Sequence, residues 1–226
     1  MGFPPQHKLA TEAPFRFPEA PASILRLPRD RRGYPVPWFI EWIDGEPDFR
    51  IADSRKIAVA VTRQKCWICG GGLGRMKSFV IGPMCSVNRV SAEPPSHPVC
   101  AVFAAETCPF LSRPLAKRPP VDDIEARFGA VPDMPGVPLL HNPGVTLVWG
   151  CLRYKPIAAN GGVLFEIGPP ERLQWFREGR EATRQDVLEA FEKGLPYLRE
   201  MAASEGAAGV AELERRLASA LELIPT

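Results

Sequence analysis

Two short pairs of soft ligands constrain this chain more than anything else in it: Cys66-Trp67-Ile68-Cys69 and, after the 27 intervening residues 70–96, His97-Pro98-Val99-Cys100. Two thiolates separated by two residues can reach one tetrahedral cation together. The glycines that follow them, Gly70, Gly71 and Gly72, let backbone amides turn toward the sulfurs. Residues 97 and 100 fall at the start of an expected helix, where an i, i+3 spacing puts both on one face. A knuckle, a strand, then a helix whose first turn supplies two ligands predicts one closed structural zinc site held by Cys66, Cys69, His97 and Cys100. Cys85 is the alternative ligand in place of His97 or Cys100. Cys108 lies eight residues past Cys100, about 12 Å along a helix at about 1.5 Å per residue, too far to share the ion. Like Cys151, it reads as a small buried hydrophobe.

Five of the six cysteines fall within the 43 residues 66–108. The opening residues, MGFPPQHKLATEAPFRF, lack the charged-then-apolar pattern of a secretory signal, and no apolar run approaches the ~20 residues of a membrane span. A reducing, cytoplasmic location is therefore expected, where clustered cysteines read as metal ligands rather than a disulfide framework. A redox C-x-x-C would sit between a strand and a long helix, but here glycines follow it. The run from Gly70 to Lys77 has no G-K-[ST] ending, so it reads as a knuckle turn rather than a phosphate loop.

Net charge is +2, yet residues 54–92 hold seven cations and no carboxylate. Six of them, Arg55, Lys56, Arg63, Lys65, Arg75 and Lys77, flank the knuckle on both sides, a basic field suited to the phosphates of DNA or RNA. The competing reading is a solvated face that serves solubility. Trp38, Phe39 and Trp42 could stack on bases, but their alternation with Ile40 and Ile43 suits a strand packed on both sides.

Proline supplies 26 of the 226 residues, which excludes a single long helical bundle or coiled coil. The expected class is α+β. It comprises a Pro-rich N-terminal arm (1–33), a treble-clef-like zinc domain (34–115), a Pro-rich connection (116–143), and a small antiparallel sheet with C-terminal helices (144–226). Phe3, Phe15, Phe17, Ile24 and Leu25 interrupt the arm's prolines and suggest that it lies along the body. Within the zinc domain, Asp44-Gly45 marks a hairpin between residues 38–43 and 48–51. Asp53 caps a helix over about 54–63. Residues 77–82 read as a strand, 83–96 as irregular, and Ser96 as the cap of a helix from His97 to Thr107 that Pro109 helps end.

In the last part, 145–149, 152–157 and 163–167 read as strands, with Asn160-Gly161-Gly162 as a turn, and 171–178 as a short helix ended by Gly179. Thr183 with Asp186 opens a further helix. Its stripe is Val187, Leu188, Phe191, Leu195, Leu198 and Met201, with a break expected at Gly194 and Pro196. A final helix over about 209–223 carries Val210, Leu213, Leu217, Leu221 and Ile224. Leu188, Phe191, Leu213 and Leu217 are the expected core. Arg177, Arg180 and Arg184 could hold an anion at a helix start, but Glu178, Glu181 and Asp186 beside them favour surface ion pairs.

The segment from CWICGGGLG through FVIGPMCSVNRV to EPPSHPVCAVFAAETCPFL resembles small bacterial and phage proteins of unassigned function, and the resemblance extends to WFREGREATRQDVLEAFEKG. It implies zinc binding. More widely the pattern is similar to treble-clef proteins, which include the HNH endonucleases. Their chemistry needs a general-base His, commonly in an Asp-His pair, and this sequence has no such dipeptide. His97 is committed to zinc, His7 lies in the arm and His141 in the connection. No G-x-S-x-G, H-E-x-x-H or Walker motif occurs, so no catalytic residue is assigned. Two functions follow from the pattern: a zinc-stabilised nucleic-acid-binding protein, or a protein-interaction module or inhibitor. An enzyme with an unrecognised site ranks below both.

Overall fold

The computed structural model describes residues 20–113, 144–159 and 162–226. Phe3, Phe15, Phe17, His7, His141, Asn160, Gly161 and the whole Pro-rich connection 116–143 lie outside them. A single helical turn, α1 (Ala22–Leu25), opens the described chain, followed by the hairpin of β1 (Ile40–Ile43) and β2 (Glu46–Ala52). Asp44 and Gly45 both take positive φ in its turn, as a tight two-residue hairpin requires. Asp53 then accepts the amide of Arg55 and starts α2 (Ser54–Thr62).

After the knuckle, β3 (Lys77–Ile81) leads into α3 (Pro83–Asn88) and β4 (Val90–Ser91), where the sequence predicts an irregular stretch. Pro83 at the first helical position is the local signal that starts α3. Helix α4 (Pro98–Thr107) has His97 at its N-cap, one residue past the Ser96 expected there. The reason is visible: Ser96 is committed to a two-bond bridge with Ser78, N–H to carbonyl in both directions at 2.7 and 2.8 Å. Helix α5 (Pro109–Ser112) follows directly.

Beyond the connection come β5 (Thr146–Cys151), β6 (Tyr154–Ala159), β7 (Gly162–Ile167), β8 (Arg172–Arg177) and β9 (Arg180–Glu181). The expected helix over 171–178 is thus a strand. Trp175 and Phe176 favour extended backbone, and β8 pairs with β5 from Arg172 to Phe176, a non-local pairing that outweighs local helix propensity. Glu178 and Gly179 make the turn into β9 with positive φ at both.

Two helices close the chain, α6 (Arg184–Ser204) and α7 (Gly206–Leu221). Thr183 and Asp186 form a full capping box at the start of α6. Helix α6 runs through Gly194 and Pro196, the two positions at which local propensity predicts a break. Its buried face, with Val187, Ala190 and Phe191, is held by the core. Pro196 lies on the exposed side, where the carbonyl that it leaves unbonded meets water.

The strand order settles how the halves relate. The larger sheet is β3-β5-β8-β9 and the smaller β4-β7-β6, so β3 and β4 pair with strands from beyond the connection. Phe79 pairs with Trp149 and Val80 with Val148 in antiparallel register. One core joins Phe79, Ile81 and Val87 to Leu147, Trp149, Phe165, Val187, Phe191, Leu213 and Leu217. The division expected between 34–115 and 144–226 is therefore crossed by a sheet and by a core, because β3 has a single bridge, Ser78–Ser96, nearer in sequence and takes its full ladder from β5. Phe191, Leu213 and Leu217 are buried as expected, and Leu188 packs at the margin. Trp42 is 41% exposed, so β1 is not packed on both faces as its alternation predicts.

Arg177, Arg180 and Asp186 form the ion-pair reading of that segment. Arg177 Nη1 reaches Asp186 Oδ1 at 2.8 Å and Arg180 Nη1 reaches Oδ2 at 2.9 Å. Arg184 instead donates to the carbonyl of Pro225. The Arg180 hydrogen bond, with the amide of Thr183, holds the Asp186 carboxyl well below the usual carboxylate range. A depressed carboxylate contributes stability above its unfolded pKa and loses it as pH falls through the folded value. Asp186→Asn should cost about 1–3 kcal/mol at neutral pH, since it removes a cap and two charged bonds. The gap to wild type should narrow once pH drops below about 4. Urea melts of both proteins at several pH values measure this, and a constant gap from neutral to acid pH contradicts it.

Candidate metal centre

The knuckle is built by three backbone bonds. The amide of Cys66 donates to Gly71 O at 2.7 Å, that of Gly70 to Cys66 O at 2.8 Å, and that of Leu73 to Gln64 O at 2.7 Å. Gly70 has φ +69°, and a Cβ there would lie 2.7 Å from Cγ of Trp38, so both the turn and the packing demand glycine. Trp38 donates its amide to Ile68 O, and Trp67 stacks on Phe39 with ring centroids 4.9 Å apart. The hairpin thus clamps the knuckle from one side.

Facing the knuckle, the chain returns beside β3 at Ser96 and enters α4. This puts His97 at the N-cap and Cys100 one turn on. The four ligand atoms of Cys66, Cys69, His97 and Cys100 all lie within 4.8 Å of one another, and the group could hold one metal ion. Cys66 and Cys100 are fully buried, while Cys69 and His97 sit at the rim. Cys85 is not part of the group. It lies on α3 at the edge of the main core, where burial pushes its thiol up. Cys108 caps α4, and Cys151 is buried in β5.

Hydrogen bonds orient two of the four ligands, His97 and Cys66. His97 Nε2 is 2.7 Å from the Gly72 carbonyl oxygen. A carbonyl only accepts, so Nε2 carries a proton, which leaves Nδ1 as the ring nitrogen that could bind a metal. That Nδ1 points inward, 3.3 Å from Cys69 Sγ and 3.8 Å from Cys100 Sγ. Cys66 Sγ accepts the amides of His97 at 3.3 Å and Cys69 at 3.5 Å. Bonds from the Cys100 and Cys69 thiols hold the Cys66 thiol well below its ordinary value, and these amides add to the effect. Sharing with Cys66 pushes the Cys100 thiol up. Three cysteine sulfurs and one imidazole whose Nδ1 faces them form a donor set that suits tetrahedral zinc.

A residue that the sequence does not point to is Ser23 on α1, whose Oγ lies within hydrogen-bond reach of Cys100 Sγ at 3.3 Å. Beside it Ile24 is 1% exposed and packs on Cys66, Ile68, Cys100 and Phe103. The end of the arm is therefore the lid of the metal centre. In the sequence the one hint is the isolated hydrophobic pair Ile24-Leu25, and Leu25 points to solvent.

The six basic candidates divide. Arg55 is 2.8 Å from Asp53 and 3.2 Å from Glu41, carboxylates that lie outside the acid-free stretch in sequence but over it in space. Lys56 donates to Ile40 O at 3.1 Å and approaches Asp53 at 3.5 Å. Lys77 donates to Arg75 O and Leu152 O. Arg63, Lys65 and Arg75 make no ion pair among the described residues. The bridge Lys65–Gly72 lays 63–65 beside 72–75, so these three cations share the outer edge of the knuckle. Trp38 and Phe39 are packed on Trp67, which agrees with the packed reading of these aromatics rather than with base stacking. Among the described residues no helix is long and apolar enough to cross a membrane. Comparison with family models, curated proteins and solved structures finds no match to this chain.

Proposed function

We propose that this chain is a zinc-stabilised binding protein that contacts nucleic acid through the edge of its finger. The observation that carries the zinc half is the convergence of the four ligand atoms within 4.8 Å, with His97 Nε2 turned to Gly72 O so that Nδ1 faces the cysteine cluster. Four protein donors leave no position for a reactive water, so the ion is structural. The finger is treble-clef-like, with its hairpin reduced to the Ser78–Ser96 bridge. The reading agrees with the resemblance of this segment to small bacterial and phage proteins of unassigned function, which implies zinc binding.

Arg63, Lys65 and Arg75 support the nucleic-acid half, whereas Arg55, Lys56 and Lys77 are taken up by local partners. Contacts of this kind are made to phosphates and read little sequence. Arg63→Glu with Arg75→Glu should abolish a gel shift seen at about 50 mM salt and leave zinc content intact, and affinity of the wild type should fall by about 0.9 log unit per log unit of salt for each duplex phosphate contact. If the wild type gives no shift with DNA or RNA, the finger edge is a solvated face. A protein-interaction module then takes precedence, favoured by Tyr197 and Met201, which stand 71% and 52% exposed one turn apart on α6.

A further inference from the structure

A second concentration of cations lies away from the finger, in an open groove between the C-terminal end of α3, strands β6 and β7, and helix α7. Arg89, Arg153, Lys155, Arg215 and Arg216 line it, against the carboxylates of Glu166 and Glu212. The sequence does not single these out, because they come from separate elements.

Two carboxylates against five cations leave the groove with an excess of positive charge. Glu212 is spent between Arg215 and Arg216, the latter at 2.6 Å. Glu166 pairs in register with Lys155 across β6 and β7, and no ion pair forms between them. Arg89 lies over the Trp149 ring at 5.8 Å, an arrangement that orients a guanidinium without neutralising it. Arg153 makes no ion pair among the described residues.

The groove has a built floor. The amide of Gly168 donates to Arg153 O, and a Cβ on Gly168 would lie 2.3 Å from that oxygen, so only glycine lets the loop after β7 press against β6. Arg216 Nη1 donates to Asn88 O at 3.2 Å and ties α7 to the end of α3. Cations held on rigid elements around an open trough suit a chain of phosphates lying along it better than a small enclosed anion.

The groove also meets the finger. Gln64, between Arg63 and Lys65, donates to the Tyr154 hydroxyl at 3.2 Å, and Tyr154 lines the groove. Lys77 from the finger side reaches the Leu152 carbonyl beside Arg153. The two basic surfaces are thus joined at the start of β6.

We propose that this groove is a second phosphate-binding surface, which continues the nucleic-acid track from the knuckle edge across β6 to α7. The inference rests on the nucleic-acid reading of the finger and extends its footprint. Its test is fluorescence anisotropy with a labelled single strand and a duplex of about 20 nucleotides, at salt from about 50 to 200 mM. The proteins are the full chain, Arg153→Glu/Lys155→Glu, Arg153→Gln/Lys155→Gln, and Arg63→Glu/Arg75→Glu. Both groove pairs lie on exposed positions of β6 and its approach, and zinc content with an unchanged melting point verifies their fold.

The expected result is at least about tenfold weaker binding for either groove pair, and a salt slope lower by about 2 for duplex, one unit for each phosphate left without its cation. Unlabelled inorganic phosphate at the same phosphorus concentration should not displace the strand. Groove variants that bind as wild type does, while the finger variant fails, overturn the groove and leave the finger reading standing. Displacement by inorganic phosphate alone overturns the polymer in favour of a small anion. A wild type that binds neither strand overturns both readings.

Discussion

Replacing Cys69 by Ser is expected to take the zinc content from about one ion per chain to none and to unfold the finger while the sheet survives. Zinc binding to small fingers is worth about 10–16 kcal/mol, the size of a whole domain's stability, so the knuckle has no other source of order on that scale. What it would otherwise rely on is smaller: the cluster of Ile24, Cys66, Ile68, Cys100 and Phe103, and Trp67 against Trp38 and Phe39. Without the ion, that cluster buries two thiols and places Nδ1 of His97 against sulfur with no cation between. Helix α4 should stay docked, because Ala101 and Ala105 pack on Val148 and Phe176 independently of the metal. Hydrogen exchange separates these outcomes. The amides of Trp38, Cys66 and Gly70, which close the knuckle and its clamp, should lose protection, and those of β3 and β5 should keep it. A Cys69→Ser protein with full zinc, or with the knuckle amides still protected, removes Cys69 from the ligand set.

The ligands are legible because their spacing is fixed by covalent geometry and short-range structure: two knuckle thiols, then two groups one helical turn apart. The capping residues Asp53, Thr183 and Asp186 are legible for the same reason, since each acts within three residues of itself. What is not legible lies far apart in the chain. Ser23 and Cys100 meet across 77 residues, and nothing local to either announces it. The acid-free stretch reads as a uniform field until Glu41 and Asp53 fold over Arg55. The strand β8 reads as helical because its partner β5 is more than twenty residues earlier and supplies the bonds that decide its form. The Pro-rich connection reads as a boundary on composition, which cannot reveal that β3 takes its full ladder from β5.

Trp149→Ala carries that last point to a measurement. Trp149 is fully buried at the middle of β5, with Phe79 of β3 opposite on one side and Leu173 of β8 on the other. Its Nε1–H donates to Gly168 O at 3.0 Å. Truncation of a buried Trp to Ala costs about 3–5 kcal/mol through lost burial and the cavity left behind, and the carbonyl of Gly168 loses its donor for about 1 more. Set against a total of about 5–15 kcal/mol, this brings the protein to the edge of unfolding. The informative part is where the loss is felt. Since Trp149 joins strands from both sides of the connection, protection should fall together at Val80, at Phe176 and at Phe191, and the urea transition should shift without splitting. Trp149→Phe keeps most of the ring and deletes the bond to Gly168, so it should cost about 1–2 kcal/mol and preserve the same single transition. If instead the amides of residues 77–81 keep wild-type protection while α6 and α7 melt early, the two halves are independent units that happen to touch, and the shared sheet is not what holds the finger to the rest of the chain.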